Sequence, residues 1–394
     1  MKVCDLTQFY SPLSGGVKRY VHEKIAFIQA SRPRDEHVLV VPGARNQVTT
    51  RGRARIYSVR SPVISRSTQY RALLNLAAIG EIIERERPDI IESADPYQVG
   101  WKAAALGQMH RIPAVAFYHS HFAESYLRRP AEMFGAKIGA TLMSGARHYV
   151  RELYNRFDAT LVPSPQLSAL LLNWGVQNVR EVDLGVNTEV FRADPGDRAV
   201  TRGAHGIPAD RVALLYVGRL ANEKNTQTLF EAFARLANRT PGKFQLVVVG
   251  DGQQRQRLQE LVSSTGAVTS LPYCADSTEL AQLYRAADVL VHPGMQETFG
   301  LVTIESQACG TPVLGIRGSS MERIVMHDQQ WWAEENTPAA LADAIEEMPP
   351  RDCAALGRLA AERVAERYSW GRVFDRLFCI YRDVCENYNR GQAG

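Results

Sequence analysis

Short apolar runs alternate with amphipathic stretches along almost the whole chain, and this alternation does most to narrow the fold. A strand buried on both faces reads as a near-continuous aliphatic run, and its parallel neighbour is reached through a crossover, usually a helix. The first half holds six such runs: KVCDLTQF (2–9), HVLVVPG (37–43), ARIYSV (54–59), DIIESA (89–94), AVAFYHS (114–120) and ATLVPS (159–164). Between the first two, Val17, Tyr20, Val21, Ile25 and Ile28 recur at helical spacing and predict a helix packed on the sheet. DLGVNTEVFRADPGDR (183–198) then breaks all periodicity with Gly, Asn, Pro and Asp, and reads as a linker. A second series follows: RVALLYVG (211–218), FQLVVVGDG (244–252), ADVLVHPG (287–294) and TPVLGI (311–316). From about 352 the pattern is helical, with Leu356, Leu359, Ala360 and Val364 and later Phe374, Leu377, Phe378 and Tyr381 as apolar faces, interrupted at Ser369-Trp370-Gly371. The expected architecture is α/β: two doubly wound Rossmann-like domains, 1–185 and 186–370, with helix 371–394 returning to the first. Such a pair sets the carboxyl ends of both strand sets around a central cleft, where ligands bind.

A length of 394 residues suits two cores of this kind. The six cysteines, at 4, 274, 309, 353, 379 and 385, form no CxxC pair and have no clustered His, which argues against a disulfide framework or a zinc site. The N-terminus enters a strand pattern at once, and no run approaches the ~20 apolar residues that span a bilayer. The expected location is the cytoplasm, with the inner membrane surface as the alternative. The net charge of +4 divides unevenly, +8 over residues 1–185 and −4 over 186–394. Arg51, Arg53, Arg55, Arg60, Arg66 and Arg71, then Arg128, Arg129, Lys137, Arg147, Arg151 and Arg156, are either solvated faces or a surface for a phosphorylated acceptor or acidic headgroups. Nucleic acid is the weaker reading and is not expected as a partner. The stretch from Tyr126 to Phe157, with Leu127, Met133, Phe134, Ile138, Leu142 and Met143 among its basic residues, fits either a bilayer surface or a core-packed helix pair, the second favoured.

Two segments carry chemistry. In GRLANEKNTQTLFEAF (218–233), Gly218 ends a strand, Arg219 follows at the sheet edge, and a short loop delivers Lys224 ahead of a helix. A guanidinium fork and an ammonium at one strand end fit a diphosphate, although spacing alone favours two surface cations. In HPGMQETFGLVTIESQACGTPVLG (292–315), Gly294 and Gly300 permit close backbone approach, and a helix is expected to begin near Gly300. Amides of Phe299, Gly300, Leu301 and Val302 would then point at an anion. Glu297 in the loop and Glu305 on the helix are carboxylates able to accept hydrogen bonds from vicinal hydroxyls, and Glu305, among Leu301, Val302, Ile304 and Ala308, needs a partner.

With these residues the chain resembles the retaining glycosyltransferases of family 4, of GT-B fold. The resemblance rests on Gly218-Arg219-Leu220, Glu223-Lys224-Asn225, the Glu-x7-Glu spacing from Glu297 to Glu305, and Phe299-Gly300. Gly15-Gly16, Leu184-Gly185-Val186-Asn187 and Val249-Gly250-Asp251-Gly252 also match. It implies transfer of a hexose from a UDP-sugar or GDP-mannose to a hydroxyl acceptor, such as a glycolipid or lipid-linked saccharide. The first domain would bind the acceptor and the second the donor. By the same resemblance, Arg219 and Lys224 hold the donor diphosphate, Glu305 the ribose, Glu297 the transferred sugar, and the amides of Leu301 and Val302 the distal phosphate. Gly16 lets the N-terminal loop close, and His119, with His121 as a less certain partner, lies near the sugar's reactive face; His119 and Glu297 are the expected catalytic residues. Developing phosphate charge would be met by Arg219, Lys224 and helix amides. No Asp-x-Asp motif occurs, so neither a metal nor another cofactor is expected. Where the family has a Gly-Gly…Glu turn, this chain has Gly315-Ile316-Arg317-Gly318-Ser319-Ser320-Met321-Glu322, then Trp331-Trp332 in place of a Gly-rich turn. The rival readings are a GT-B epimerase and a nucleotide-sugar-binding protein without transferase activity.

Overall fold

The structure is a computed structural model describing residues 1–10, 16–64, 70–119, 136–348 and 350–392. The chain divides into two compact units, Met1–Leu184 with Val373–Gly394, and Gly185–Arg372.

The first unit is built on an eight-stranded sheet of β1 (Lys2–Leu6), β2 (Glu36–Gly43), β3 (Gln47–Arg51), β4 (Ala54–Arg60), β5 (Ile90–Ser93), β6 (Ala114–Phe117), β7 (Ala159–Val162) and β8 (Val179–Glu181), in the order β3-β4-β2-β1-β5-β6-β7-β8. Every pairing is parallel except β3 with β4. The apolar runs become the central strands because both their faces are covered: Val38, Val40, Ile91, Ala116 and Val162 join one core with Ile83, Ala103, Val150 and Leu171 from the helices. Helix Gly16–Ser31 buries Tyr20, Val21, Ile25 and Ile28, the helical spacing read from the sequence. Lys24 lies on that same face and is wholly buried, where an unpaired charge would be very costly. Its ammonium reaches Asp5 Oδ1 at 2.9 Å and Glu92 Oε1 at 3.0 Å, and donates to the Tyr381 hydroxyl at 3.0 Å. Asp5 also pairs with His37 Nε2 at 2.7 Å, and the Tyr381 hydroxyl donates to Glu92. Tyr381 comes from helix Trp370–Gln392, so this cluster fastens the returning helix to β1 and β5.

The second unit has a five-stranded parallel sheet of β9 (Val212–Val217), β10 (Phe244–Val249), β11 (Val268–Leu271), β12 (Val289–Val291) and β13 (Val313–Leu314), in the order β11-β10-β9-β12-β13. Helix Thr226–Arg239 presents Leu229, Phe230, Phe233 and Leu236 to a core shared with Leu214, Leu246, Val248 and Val291. Helices Pro350–Tyr368 and Trp370–Gln392 are separated at Ser369, as their apolar pattern predicts. Leu359 departs from the expected apolar face and is 38% exposed.

Part of the Tyr126–Phe157 stretch lies outside the described residues. Of the rest, helix Ala136–Tyr154 turns Ala146, Val150, Leu153 and Tyr154 into the core, while Leu142 is exposed. Among the described residues no helix is long and apolar enough to cross a membrane, and no three His, Cys, Asp or Glu side chains form a group able to hold a metal ion.

Candidate functional site

In an open parallel sheet the ligand crevice forms beyond the carboxyl ends of the strands, where the strand order reverses. In the second unit that point lies between β9 and β12. β9 runs out into Gly218 and Arg219 and then a single 3-10 turn, Asn222–Lys224; β12 runs out into His292, Pro293 and Gly294.

Asn225 joins the two exits. It adopts the left-handed conformation (φ 56°), which Asn tolerates better than most residues. Its Nδ2 donates to the Pro293 carbonyl at 2.9 Å and to Asn336 Oδ1 at 2.7 Å. The turn carrying Lys224 is thereby held beside the loop carrying Glu297, and Lys224 Nζ meets Glu297 Oε1 at 2.5 Å. The Glu297 amide donates to Ser320 Oγ at 2.7 Å, and His292 Nε2 stands 3.6 Å from the same Oε1, long for a hydrogen bond. Burial alone would raise the Glu297 carboxyl; the Lys224 ammonium and then His292 outweigh it and hold the group at about 2.

Three residues beyond Glu297 the chain turns into helix Leu301–Ala308 through Gly300, whose φ of 93° is open to Gly but strained for other residues. A Cβ there would stand 2.4 Å from Met321 Sδ. Gly300 provides no side-chain cap, so the first-turn amides, including Leu301 and Val302, carry the positive end of the helix dipole without one.

The other expected donor residues are distributed differently. Glu305 is 2% exposed and accepts from the Tyr284 hydroxyl at 3.1 Å. Phe299 points inward, its ring edge-on to Tyr368 at 5.8 Å, leaving its backbone as what it can offer a ligand. The Arg219 side chain is 70% exposed and lies 3.5 Å from Glu223, while its carbonyl accepts from the Tyr216 hydroxyl at 2.9 Å. The structure thus joins Lys224, Glu297 and the Gly300 turn, leaves Arg219 extended at the surface, and sets Glu305 inside the unit.

In the first unit, His119 lies two residues beyond β6, not within it as expected, because pairing with β7 ends at Phe117. Its ring stacks on Phe117 (centroids 3.9 Å, 8° between planes) and meets Tyr20 edge-on at 5.0 Å. Nε2 is buried without a hydrogen-bond partner. Burial, then the charge of Lys24, lowers the imidazole to about 3 and keeps it neutral. Gly16 is the first residue of helix Gly16–Ser31; Gly15 and His121 lie outside the described residues.

Several residues of these sites carried no sequence signal. Ser320 belongs to the segment that departs from the family pattern, and there it anchors the Glu297 amide. His292 stood in the Glu297 segment, but its type alone assigned it nothing. Asp95, just past β5 where the first sheet's order reverses, accepts from the Tyr97 amide at 2.8 Å and the Gln8 side chain at 3.4 Å. Burial raises its carboxyl to about 7.

Comparison with known proteins agrees with this architecture. The family "Glycosyl transferases group 1" matches residues 197–349 and "Glycosyltransferase Family 4" matches residues 14–190. A GDP-mannose-dependent alpha-(1-6)-phosphatidylinositol dimannoside mannosyltransferase of Mycobacterium tuberculosis is 30% identical over 385 residues, covering 94% of this chain and 93% of its own. A GDP-mannose-dependent alpha-mannosyltransferase of Corynebacterium glutamicum is 29% identical over 330 residues, covering 80% of this chain and 72% of its own. Among solved structures, sucrose-phosphate synthase from Thermosynechococcus elongatus superposes with a TM-score of 0.75 at 22% identity over 97% of this chain and 98% of that one. HepE of Anabaena, in complex with UDP and glucose, gives 0.72 at 17% identity over 97% and 100%. At such identities the structures speak for the fold, which is GT-B. Identity extending along nearly the full length of both chains, together with the two family matches, makes this protein a glycosyltransferase that belongs to family 4.

Proposed function

We propose that this chain transfers mannose from GDP-mannose to a hydroxyl of a lipid-linked polyol or saccharide, with retention of anomeric configuration. The observation that carries the reading is the Lys224–Glu297 pair set beside the Gly300 turn at the reversal point of the second sheet. An ammonium and uncapped helix amides suit a diphosphate, and a carboxylate a few residues away suits sugar hydroxyls. The choice of donor is supported by two relatives, spanning 94% and 80% of this chain, that are named as GDP-mannose-dependent.

In this reading the amides of Leu301 and Val302, with Phe299 and Gly300 contributing backbone, hold the distal phosphate while Lys224 and the extended Arg219 neutralise the diphosphate. Glu297 accepts from the mannose hydroxyls and Glu305 from the ribose, after it exchanges its Tyr284 hydrogen bond or shares it. As the bond from the anomeric carbon to the phosphate oxygen breaks, negative charge gathers where these groups already lie. The acceptor oxygen bonds to the anomeric carbon on the face the phosphate leaves, and its proton passes to that phosphate, so configuration is kept. The charge is met by side chains and amides, with no metal or other cofactor called upon.

We assign the acceptor to the first unit, with its +8 charge over residues 1–185 suited to an anionic headgroup at a membrane surface. Gly16 opens the helix there, and neutral His119 is that unit's candidate catalytic residue. Purified protein incubated with labelled GDP-mannose and a phosphatidylinositol mannoside should yield a lipid-soluble mannoside with an α linkage by proton NMR. A β-linked product would overturn retention, and release of free mannose without lipid product would overturn the acceptor.

A further inference from the structure

We infer that His292 is a positioning residue for Glu297: it keeps the carboxylate aimed at the sugar when the donor diphosphate draws Lys224 away. The inference rests on the donor reading above. In the free protein two groups bear on one oxygen, Lys224 Nζ at 2.5 Å and His292 Nε2 at 3.6 Å, both toward Glu297 Oε1. Oε1 is therefore the held oxygen, and Oε2 is the one left to accept from a hydroxyl. Lys224 cannot serve two anions equally. A diphosphate carries more charge than the carboxylate and competes for the same ammonium. Once Lys224 turns to it, the side chains on Oε1 reduce to the imidazole, and a shift of a few tenths of an ångström brings Nε2 into hydrogen-bond range.

The surroundings of His292 fit this part. The residue is 6% exposed, and its Nδ1 is buried with no hydrogen-bond partner. A buried imidazole that satisfies neither nitrogen well is a poor core residue, so packing alone gives no reason for histidine here. Gly294 keeps the ring where it is. A Cβ at 294 would lie 3.0 Å from His292 Cε1 and 3.7 Å from Glu297 Oε1, pressing into the gap between the two. The loop dips against the ring and the carboxylate at the residue that has no side chain.

Calorimetric binding of GDP and of GDP-mannose to full-length protein tests this. GDP reports the diphosphate and base, and the difference between the ligands reports the sugar. His292→Phe keeps a ring and removes both nitrogens; His292→Gln places an amide N–H donor near the position of the imidazole Nε2; Gly294→Ala leaves the imidazole but crowds it. We expect His292→Phe and Gly294→Ala to bind GDP as the native protein does and to lose about tenfold or more in GDP-mannose affinity, the scale of one hydrogen bond to a charged group. His292→Gln should recover part of that loss. Equal loss for both ligands, loss for neither, or His292→Gln no better than His292→Phe would overturn the inference. Native protein that binds neither ligand would instead remove the donor reading on which it rests.

Discussion

Replacing Lys224 with methionine should leave a partly buried carboxylate without its principal counter-charge, and the size of the effect follows from the geometry. Glu297 is 15% exposed and Lys224 28%, so solvent screens the pair only partly. The carboxyl lies at about 2 against an ordinary 4.5. At about 1.4 kcal/mol per unit, this difference corresponds to about 3 kcal/mol of stability. Because the folded value is the lower one, that stability is present above about pH 4.5 and is lost as pH falls toward 2. Urea unfolding at pH 7 should show Lys224→Met destabilised by about 3 kcal/mol, the range expected when one partner of a partly buried pair is removed. The gap from the native protein should narrow on acidification, as Glu297 in the variant takes up a proton at a pH where the native carboxyl is still ionised. Adding Glu297→Gln to Lys224→Met should return most of the lost stability, since no charge is then left behind. A cost below about 0.5 kcal/mol at pH 7, unchanged between pH 7 and pH 3, would refute the ion pair as the element organising this site.

Asp95→Asn should stabilise the protein at pH 8 by up to about 4 kcal/mol, because the native carboxyl, raised to about 7, favours folding at low pH and loses that contribution as pH rises through 7. The gain should vanish below about pH 4, which denaturant titrations at both pH values would show. His119→Phe should lose transferase activity while unfolding less readily in acid than the native protein, by about 3 kcal/mol at pH 4. The native imidazole, held down to about 3, resists the proton that the unfolded chain accepts near 6.5. Gly300→Ala should lower the melting temperature by the equivalent of about 1–3 kcal/mol of backbone strain and weaken GDP binding, since its Cβ would press on Met321; an unchanged melting temperature would contradict the assigned turn.

The strands legible in sequence are those buried on both faces, such as β2, β9 and β10, whose short, Val-rich runs favour a covered parallel strand. β3 was invisible because all five of its residues are exposed, which leaves no apolar signature. β8 and β11 are short and at most half-buried, and escaped for the same reason. The expected strands ran past their true ends, as at 114–120, because residues leaving a sheet stay buried against helices after backbone pairing has stopped. In the site, Glu297 and Lys224 stand out in sequence through the family motifs that contain them, since spacing alone favours reading Lys224 as a surface cation. What holds them does not: Ser320, His292 and Asn225 act through contacts made only when β9, β12 and the segment after β13 are brought together. Glu305 shows the converse. Its apolar neighbours in sequence signalled that it would need a partner, and the partner is Tyr284.

A crystal structure with unhydrolysed GDP-mannose bound measures the central claim directly. The distal phosphate should rest on the amides of Leu301 and Val302, Lys224 Nζ should lie within about 3 Å of a phosphate oxygen, and a mannose hydroxyl should donate to Glu297. Donor bound elsewhere on the protein, or bound with Lys224 still closed on Glu297 and no phosphate contact, would contradict it.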